Sequence, residues 1–346
     1  MSAAEALSTA DLQWLPANHA AIEVWGAASQ TLIGDSLRLT RPLDMPGKGY
    51  AHDNPGACLR FATSARRGAV RLRYSDQHIS PTARNGIGLM LVDDAEAATF
   101  TSRTATVVRP VEDIDVPLPV PATPGIHTYT VVMPYGDSVD VLGIGIEPTA
   151  VLSALEHHPQ LRWVAYGDSV TQGFTSTHIG KTYPWLVARQ RGWEAINLGL
   201  GGRSCNANDA EAIANLHPDL VTIAIGVNDW QGNAPAANYG LRLSHLIERL
   251  HALQPQARLA VITPLWVNDT WLAGKTAAPL ADYRRAAEAA VASHAAICTL
   301  IDGATLIDPD PTLFDRVAVH PNDRGFAQMA ERLSARLFPD LVPSKR

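Results

Sequence analysis

LRWVAYGDSVTQG, residues 161–173, begins as a nearly unbroken apolar run and ends in a polar, glycine-flanked turn. Such a run reads as a parallel strand covered on both faces. The same pattern repeats downstream. EAINLG (194–199), LVTIAIG (220–226), RLAVITP (258–264) and ICTLID (297–302) read as further strands. Between them lie YPWLVARQRG (183–192), NDAEAIANL (208–216), YGLRLSHLIERLHAL (239–253), PLADYRRAAEAAVASHAA (279–296) and, last, DRGFAQMAERLSARLF (323–338). These carry helical periodicity, and Gly192 is placed to end the first. Strands alternating with helices predict a doubly wound α/β layer.

Upstream the pattern changes. From about residue 20 to 147 helical periodicity is lacking, and short segments alternate apolar and polar: AIEVWG (21–26), SLRLTRP (36–42), ACLRFATS (57–64), AVRLRYS (69–75), GIGLMLVDD (86–94), RTATVVRPV (103–111), HTYTVVMP (127–134) and VDVLGIGIEP (139–148). Residues 47–49, 53–56, 113–115, 121–125 and 136–137 read as the intervening turns. Strands at this spacing predict an all-β sandwich of jelly-roll type. The expected domains are therefore a β-sandwich over 1–155 and an α/β layer over 156–346.

Composition excludes several classes. The chain has 346 residues, 46% hydrophobic and 18% charged, so it is neither disordered nor supercharged. Its net charge is −6; residues 1–160 hold 11 Lys/Arg against 17 Asp/Glu, while the remainder is balanced. Without a basic patch, neither nucleic acid nor an anionic membrane is an expected partner. No apolar run reaches spanning length, and the first residues do not resemble a signal peptide. Cys58, Cys205 and Cys298 are isolated, which indicates neither a disulfide framework nor a zinc site and points to a reducing, cytoplasmic setting.

In a doubly wound sheet, ligands sit at the carboxyl ends of the strands. The first strand exits into Gly167-Asp168-Ser169, the second into Gly199-Leu200-Gly201-Gly202, the third into Gly226-Val227-Asn228-Asp229, and His320-Pro321 precedes the last helix. A serine hydroxyl is a weak nucleophile that needs a base, and His320 can supply it. Acyl transfer creates an oxyanion; the backbone N–H groups of Ser169 and Gly202 and the Asn228 amide would supply three donors. Asp315, Asp310 and Asp308 are candidates to orient the imidazole.

Gly-Asp-Ser alone is weak evidence, since it occurs at 34–36, 136–138 and 167–169. The first two copies lie between β-type segments and read as hairpin turns. Only the third follows a buried strand and opens an α/β unit.

With the ordered Gly, Asn and His sites, residues 161–338 resemble the SGNH/GDSL hydrolase superfamily. YGDSVTQG is similar to its first signature block, NLGLGG to the second, GVND to the third and HPND to the last. The resemblance implies Ser169 as nucleophile, His320 as base, and Gly202 and Asn228 as oxyanion donors. It also implies a flavodoxin-like α/β/α sandwich and ester hydrolysis without metal or cofactor. A β-sandwich ahead of this domain resembles some carbohydrate esterases that remove acetyl groups. One departure stands out. The family places Asp three residues before the histidine, where this chain has Val317. Asp315, five residues before, requires a bulge to reach His320; otherwise a backbone carbonyl orients the ring.

Competing motifs fail. A dinucleotide fingerprint at Gly199–Gly201 lacks its third glycine, Gly180-Lys181-Thr182 lacks the first glycine of a phosphate loop, and Thr171 replaces the second glycine of a G-x-S-x-G elbow. Trp185 reads as core, while Trp230, Trp266 and Trp271 are candidates to line a pocket. The expected function is a serine esterase acting on a small acyl ester, with an acetylated carbohydrate as the substrate class. The alternatives are a lipid or aryl esterase or thioesterase, and a carbohydrate-binding protein with no catalysis. The oligomeric state is left open.

Overall fold

The structure is a computed structural model that describes residues 9–43, 53–77, 86–101, 111–155, 161–267, 276–315 and 319–341. Two compact units part between Ser153 and Arg162.

The first unit is antiparallel. Its strands are β1 (Gln13–Pro16), β2 (Glu23–Trp25), β3 (Ser29–Ile33), β4 (Ser36–Thr40), β5 (Cys58–Thr63), β6 (Gly68–Gln77), β7 (Gly88–Val92), β8 (Ala95–Phe100), β9 (Glu112–Pro117), β10 (His127–Val132), β11 (Asp137–Ile146) and β12 (Leu152–Ser153). One sheet runs β3-β4-β11-β6-β9 with β1 beside β11; the other runs β12-β5-β10-β7-β8 with β2 beside β5. Away from the exposed strands β3 and β8, each sheet turns one set of side chains inward. Leu39, Leu72, Val141 and Ile144 of one sheet share a core with Leu59, Phe61, Met90 and Val131 of the other. This is the expected β-sandwich.

One turn expected from the sequence is a strand. Residues 113–115 lie inside β9 rather than in a turn. Aspartate is a poor strand former, but β6 sets an arginine opposite each one. Arg73 Nε lies 2.7 Å from Asp113 Oδ1, and Arg71 Nε lies 2.7 Å from Asp115 Oδ1. With Arg38 facing Asp140, the row Arg38–Asp140–Arg73–Asp113 alternates in charge across four strands. The expected strand over 103–111 and the turn at 47–49 lie outside the described residues, apart from Val111. The Gly-Asp-Ser copy at 34–36 is the expected hairpin turn, but the copy at 136–138 is not: it links strands of different sheets, and Asp137 and Ser138 already belong to β11. Gly34 (φ 62°) lies between β3 and β4, and Gly136 (φ 81°) between β10 and β11.

The second unit has a five-stranded parallel sheet of β13 (Arg162–Gly167), β14 (Glu194–Gly199), β15 (Leu220–Ala224), β16 (Arg258–Ile262) and β17 (Cys298–Ile301), in the order β14-β13-β15-β16-β17. Its helices are α1 (Ser169–Gln172), α2 (Tyr183–Arg191), α3 (Asp209–Ala214), α4 (Val227–Gln231), α5 (Ala236–Leu253), α6 (Leu280–Ala292) and α7 (Asp323–Arg336). Gly192, at φ 67°, ends α2 as its composition predicts. Trp163, Ala165, Leu220, Ala260 and Ile262 are buried with Tyr183, Val187, Phe326, Met329 and Leu333 in a core formed by strands, α2 and α7. The sheet reverses its order beside β13, and the crevice at such a switch point lies at the strands' carboxyl ends. Among the described residues, no helix is long and apolar enough to cross a membrane.

Candidate active site

β13 delivers the turn Gly167-Asp168-Ser169 into α1. Asp168 caps the helix: its carboxylate accepts from Val170 N at 2.9 Å. Ser169 is therefore the first helical residue, where the N–H has no partner within the helix. Glycine is required at two neighbouring positions. A Cβ on Gly167 would stand 2.0 Å from Thr171 Oγ1, and one on Gly199 would stand 2.0 Å from Gln172 N. The close approach of β13, β14 and α1 depends on both.

The opposite partner arrives on the segment before α7. Ser169 Oγ lies 2.8 Å from His320 Nε2. The edge of the Phe174 ring packs against the imidazole, with centroids 4.8 Å apart. Phe314 bridges to Pro321, and Asp315 N donates to His320 O at 2.8 Å, so the chain doubles back and carries Asp315 alongside His320. Asp315 Oδ2 comes to 3.8 Å from His320 Nδ1, beyond hydrogen-bond reach. Asp315 Oδ1 and His320 Nδ1 are both buried without a hydrogen-bond partner among the described residues. Val317 lies outside the described residues. The other two candidate acids are engaged elsewhere: Asp308 pairs with Arg332, and Asp310 caps the 3-10 turn at Thr312.

The remaining sequence-predicted residues lie at adjacent strand exits. Gly202, exposed and at φ 85°, follows β14; no acceptor among the described residues takes its N–H. Asn228, half-buried on α4, donates from Nδ2 to Arg203 O at 3.1 Å. An amide nitrogen carries two hydrogens, so one remains for another acceptor.

Several residues that sequence reading passed over hold these loops. Buried Asp229 accepts from Cys205 N at 3.0 Å and from Arg242 Nη2 at 2.6 Å, tying the loop after β14 to α4 and α5. Buried Asp209 accepts from Tyr166 Oη at 2.7 Å and from Arg203 Nε at 2.9 Å. Gln172 Oε1 accepts from Gly201 N at 3.1 Å, and Asn197 Nδ2 donates to Thr171 O at 2.7 Å. Asp229, Gln172 and Asn197 stand inside the quoted motif blocks, which give them no role; Asp209 and Arg242 carry no signal in the sequence.

Burial dominates the electrostatics. It raises the Asp168 carboxyl to about 6; the Val170 N–H and the nearby His320 offset part of that rise, and Asp229 adds to it. The Cys205 thiol and the Tyr166 hydroxyl are also pushed up, again chiefly by desolvation.

A cavity of about 30 Å³ is lined by the chain neighbours of the pair, Asp168 and Val170 beside Ser169 and Val319 before His320, together with Val227, Leu265 and Val267. Trp266 is half-buried, its ring 5.2 Å from that of Phe314. Trp230 is no pocket residue: it is 1% exposed, and its indole donates to Ala278 O. Trp185, expected in the core, is half-buried, and Trp271 lies outside the described residues.

Residues 165–328 match the family model described as GDSL-like Lipase/Acylhydrolase. The α/β unit is a GDSL-like acylhydrolase domain.

Solved structures extend the likeness across both units. The chain superposes on the salicylyl-acyltransferase SsfX3 from a tetracycline biosynthetic pathway with a TM-score of 0.77 at 19% identity, covering 96% of this chain and 99% of that one. A family two carbohydrate esterase from Cellvibrio japonicus gives 0.70 at 18% identity, over 95% and 98%. The acetyl xylan esterase Est2A from the rumen bacterium Butyrivibrio proteoclasticus gives 0.66 at 10%, over 95% and 98%. At these identities the likeness is one of fold. None of the curated proteins compared matches the chain. A β-domain followed by a GDSL-like domain is thus an arrangement this chain is similar to along nearly its whole length.

Proposed function

We propose that the protein is a serine esterase that hydrolyses small acyl esters, with acetylated carbohydrates as its substrate class. The observation that carries this reading is the 2.8 Å contact between Ser169 Oγ and His320 Nε2 at the exit of β13. That distance lets the imidazole take the hydroxyl proton as Ser169 attacks the ester carbonyl. The carbonyl oxygen becomes an oxyanion, received by the N–H groups of Ser169 and Gly202 and by the Asn228 amide. His320 returns its proton to the leaving alcohol as the tetrahedral intermediate collapses to the acyl-enzyme. Water, deprotonated by the same imidazole, then releases the acid and frees Ser169. Asp315 faces the imidazolium that forms and stabilises its charge.

The acyl preference rests on the cavity. Its lining beside the pair is mostly apolar, with Val170, Val227, Val319 and Leu265, and suits a small acyl group such as acetyl. The carbohydrate half of the proposal draws on the fold shared with carbohydrate esterases and on the half-buried Trp266, an apolar surface for a sugar face.

The test is hydrolysis of a chromogenic acetate by the wild type and by Ser169→Ala. Turnover that falls about 10³-fold or more in the variant supports the reading. Equal turnover in both removes it. No turnover on any acyl ester by the wild type would favour a binding protein.

A further inference from the structure

The GDSL-like domain holds its histidine from an unexpected side. His320 Nδ1 makes no hydrogen bond among the described residues, yet Nε2 sits at bonding distance from Ser169. An imidazole free to rotate about two side-chain bonds would not be held there by one contact. Four contacts from the chain just after the nucleophile helix reach the histidine segment. The Phe174 ring meets the imidazole edge-on at 4.8 Å. Thr175 Oγ1, which also contacts Phe174 O, lies 2.9 Å from Pro321 O and shares its one hydrogen between the two carbonyls. Thr177 N donates to Asp323 Oδ1 at 2.7 Å, and Thr177 Oγ1 donates to Asp323 Oδ2 at 2.6 Å. Thr175 makes its contact from a backbone conformation with φ 77°, which a β-branched residue adopts only when its surroundings impose it. Asp323 opens α7, where a carboxylate is favoured by the helix N-terminus.

We propose that Thr175 and Thr177, through Pro321 and Asp323, are positioning residues that hold His320 against Ser169, taking over orientation that a hydrogen-bonded acid would otherwise provide. This inference rests on the esterase reading of the Ser169–His320 pair and adds to it how the base is held. Nucleophile and base then belong to one clamped structure. The Phe174–Thr177 loop carries the register of Ser169 to the histidine segment, and the Phe174 ring closes the gap at the imidazole itself.

The experiment compares Thr177→Val, Thr177→Ser and Thr175→Gly with the wild type on a chromogenic acetate. It also measures the rate of inactivation by a serine-reactive phosphonate. Valine keeps the shape of threonine and removes the hydroxyl. Glycine relieves the strained φ at position 175 while removing the bond to Pro321, so this variant keeps its fold. A misplacement on the order of 1 Å can cost about 100-fold in rate, so kcat is expected to fall about 10- to 100-fold in Thr177→Val and Thr175→Gly. KM should stay within about twofold, because substrate binding is untouched. The phosphonate rate should fall in parallel, and Thr177→Ser should recover most of the activity. Wild-type kcat and phosphonate rates in both hydroxyl-deleted variants would overturn the proposal. So would a loss in Thr177→Val that serine fails to restore and that Thr175→Gly does not share. Ser169→Ala and His320→Ala are the controls. Activity surviving in either would sink the esterase reading itself, whatever the clamp variants do.

Discussion

The Asp315 carboxylate stands 3.8 Å from His320 Nδ1, while Asp315 N donates to the His320 carbonyl at 2.8 Å. The backbone brings the acid to the base, yet the side chains stop short of a hydrogen bond. The two side chains attract as charges only while the imidazole carries a proton, and both are partly exposed, which weakens that attraction.

Asp315→Asn is therefore expected to lower kcat by about 10- to 100-fold, short of the about 10⁴-fold seen when a hydrogen-bonded triad acid is replaced. Steady-state kinetics of Asp315→Asn beside Asp308→Asn and Asp310→Asn checks this. A loss below about threefold at 315 would leave Ser169 and His320 as a dyad, and a large loss at 308 or 310 alone would reassign the acid.

Asn228→Ala should lower kcat by about 10²- to 10³-fold, the cost of one oxyanion donor. It also removes the bond to Arg203 O, a half-buried contact whose loss costs about 1 kcal/mol. The paired measurement is kcat and a thermal melt. A large fall in melting temperature with near-normal kcat would make Asn228 a fastener of the loop and nothing more.

The α/β unit was legible because its strands are covered on both faces. Runs such as Trp163–Tyr166 and Leu220–Ile223 are buried along their length and read as apolar segments, broken only by Thr222. The β-sandwich was legible only where one face is buried. β3 is exposed at every position, and β8 at all but Phe100, so neither carries alternation strong enough to see. β9 hid behind aspartates whose arginine partners lie about forty residues away on β6. In the site, Ser169, His320, Gly202 and Asn228 announce themselves at strand exits and ahead of the last helix. Thr177 and Asp323 do not. They are separated by 146 residues, and neither a threonine nor an aspartate at a helix start signals a distant partner.

Asp168 predicts how stability responds to pH. Its carboxyl titrates at about 6 in the folded protein against 3.8 for an ordinary aspartate, chiefly because burial disfavours the charge. Between about pH 4 and 6 the folded state binds more protons than the unfolded chain. Stability from this group therefore falls as pH rises through that window, by about 3 kcal/mol in all. Asp168→Asn keeps an acceptor for Val170 N and removes the ionisation. Its melting temperature should gain on the wild type from about pH 4 to 6 and hold that gain above. A difference that does not change with pH would show that Asp168 does not titrate there.

The cavity beside the pair predicts the acyl preference. If the apolar cavity lined by Val170, Val319 and Leu265 receives a small acyl group, kcat/KM should fall from acetate to butyrate to octanoate esters. A rise toward octanoate would favour a lipid esterase.

The central claim is that Ser169 is the nucleophile, although the chain carries Gly-Asp-Ser three times. Covalent labelling of the intact protein with a serine-reactive phosphonate, followed by peptide mapping, tests it most directly. The account predicts one adduct, on Ser169, lost in His320→Ala because the base 2.8 Å away is gone. An adduct on Ser36 or Ser138, or labelling at Ser169 that is indifferent to His320, would contradict it.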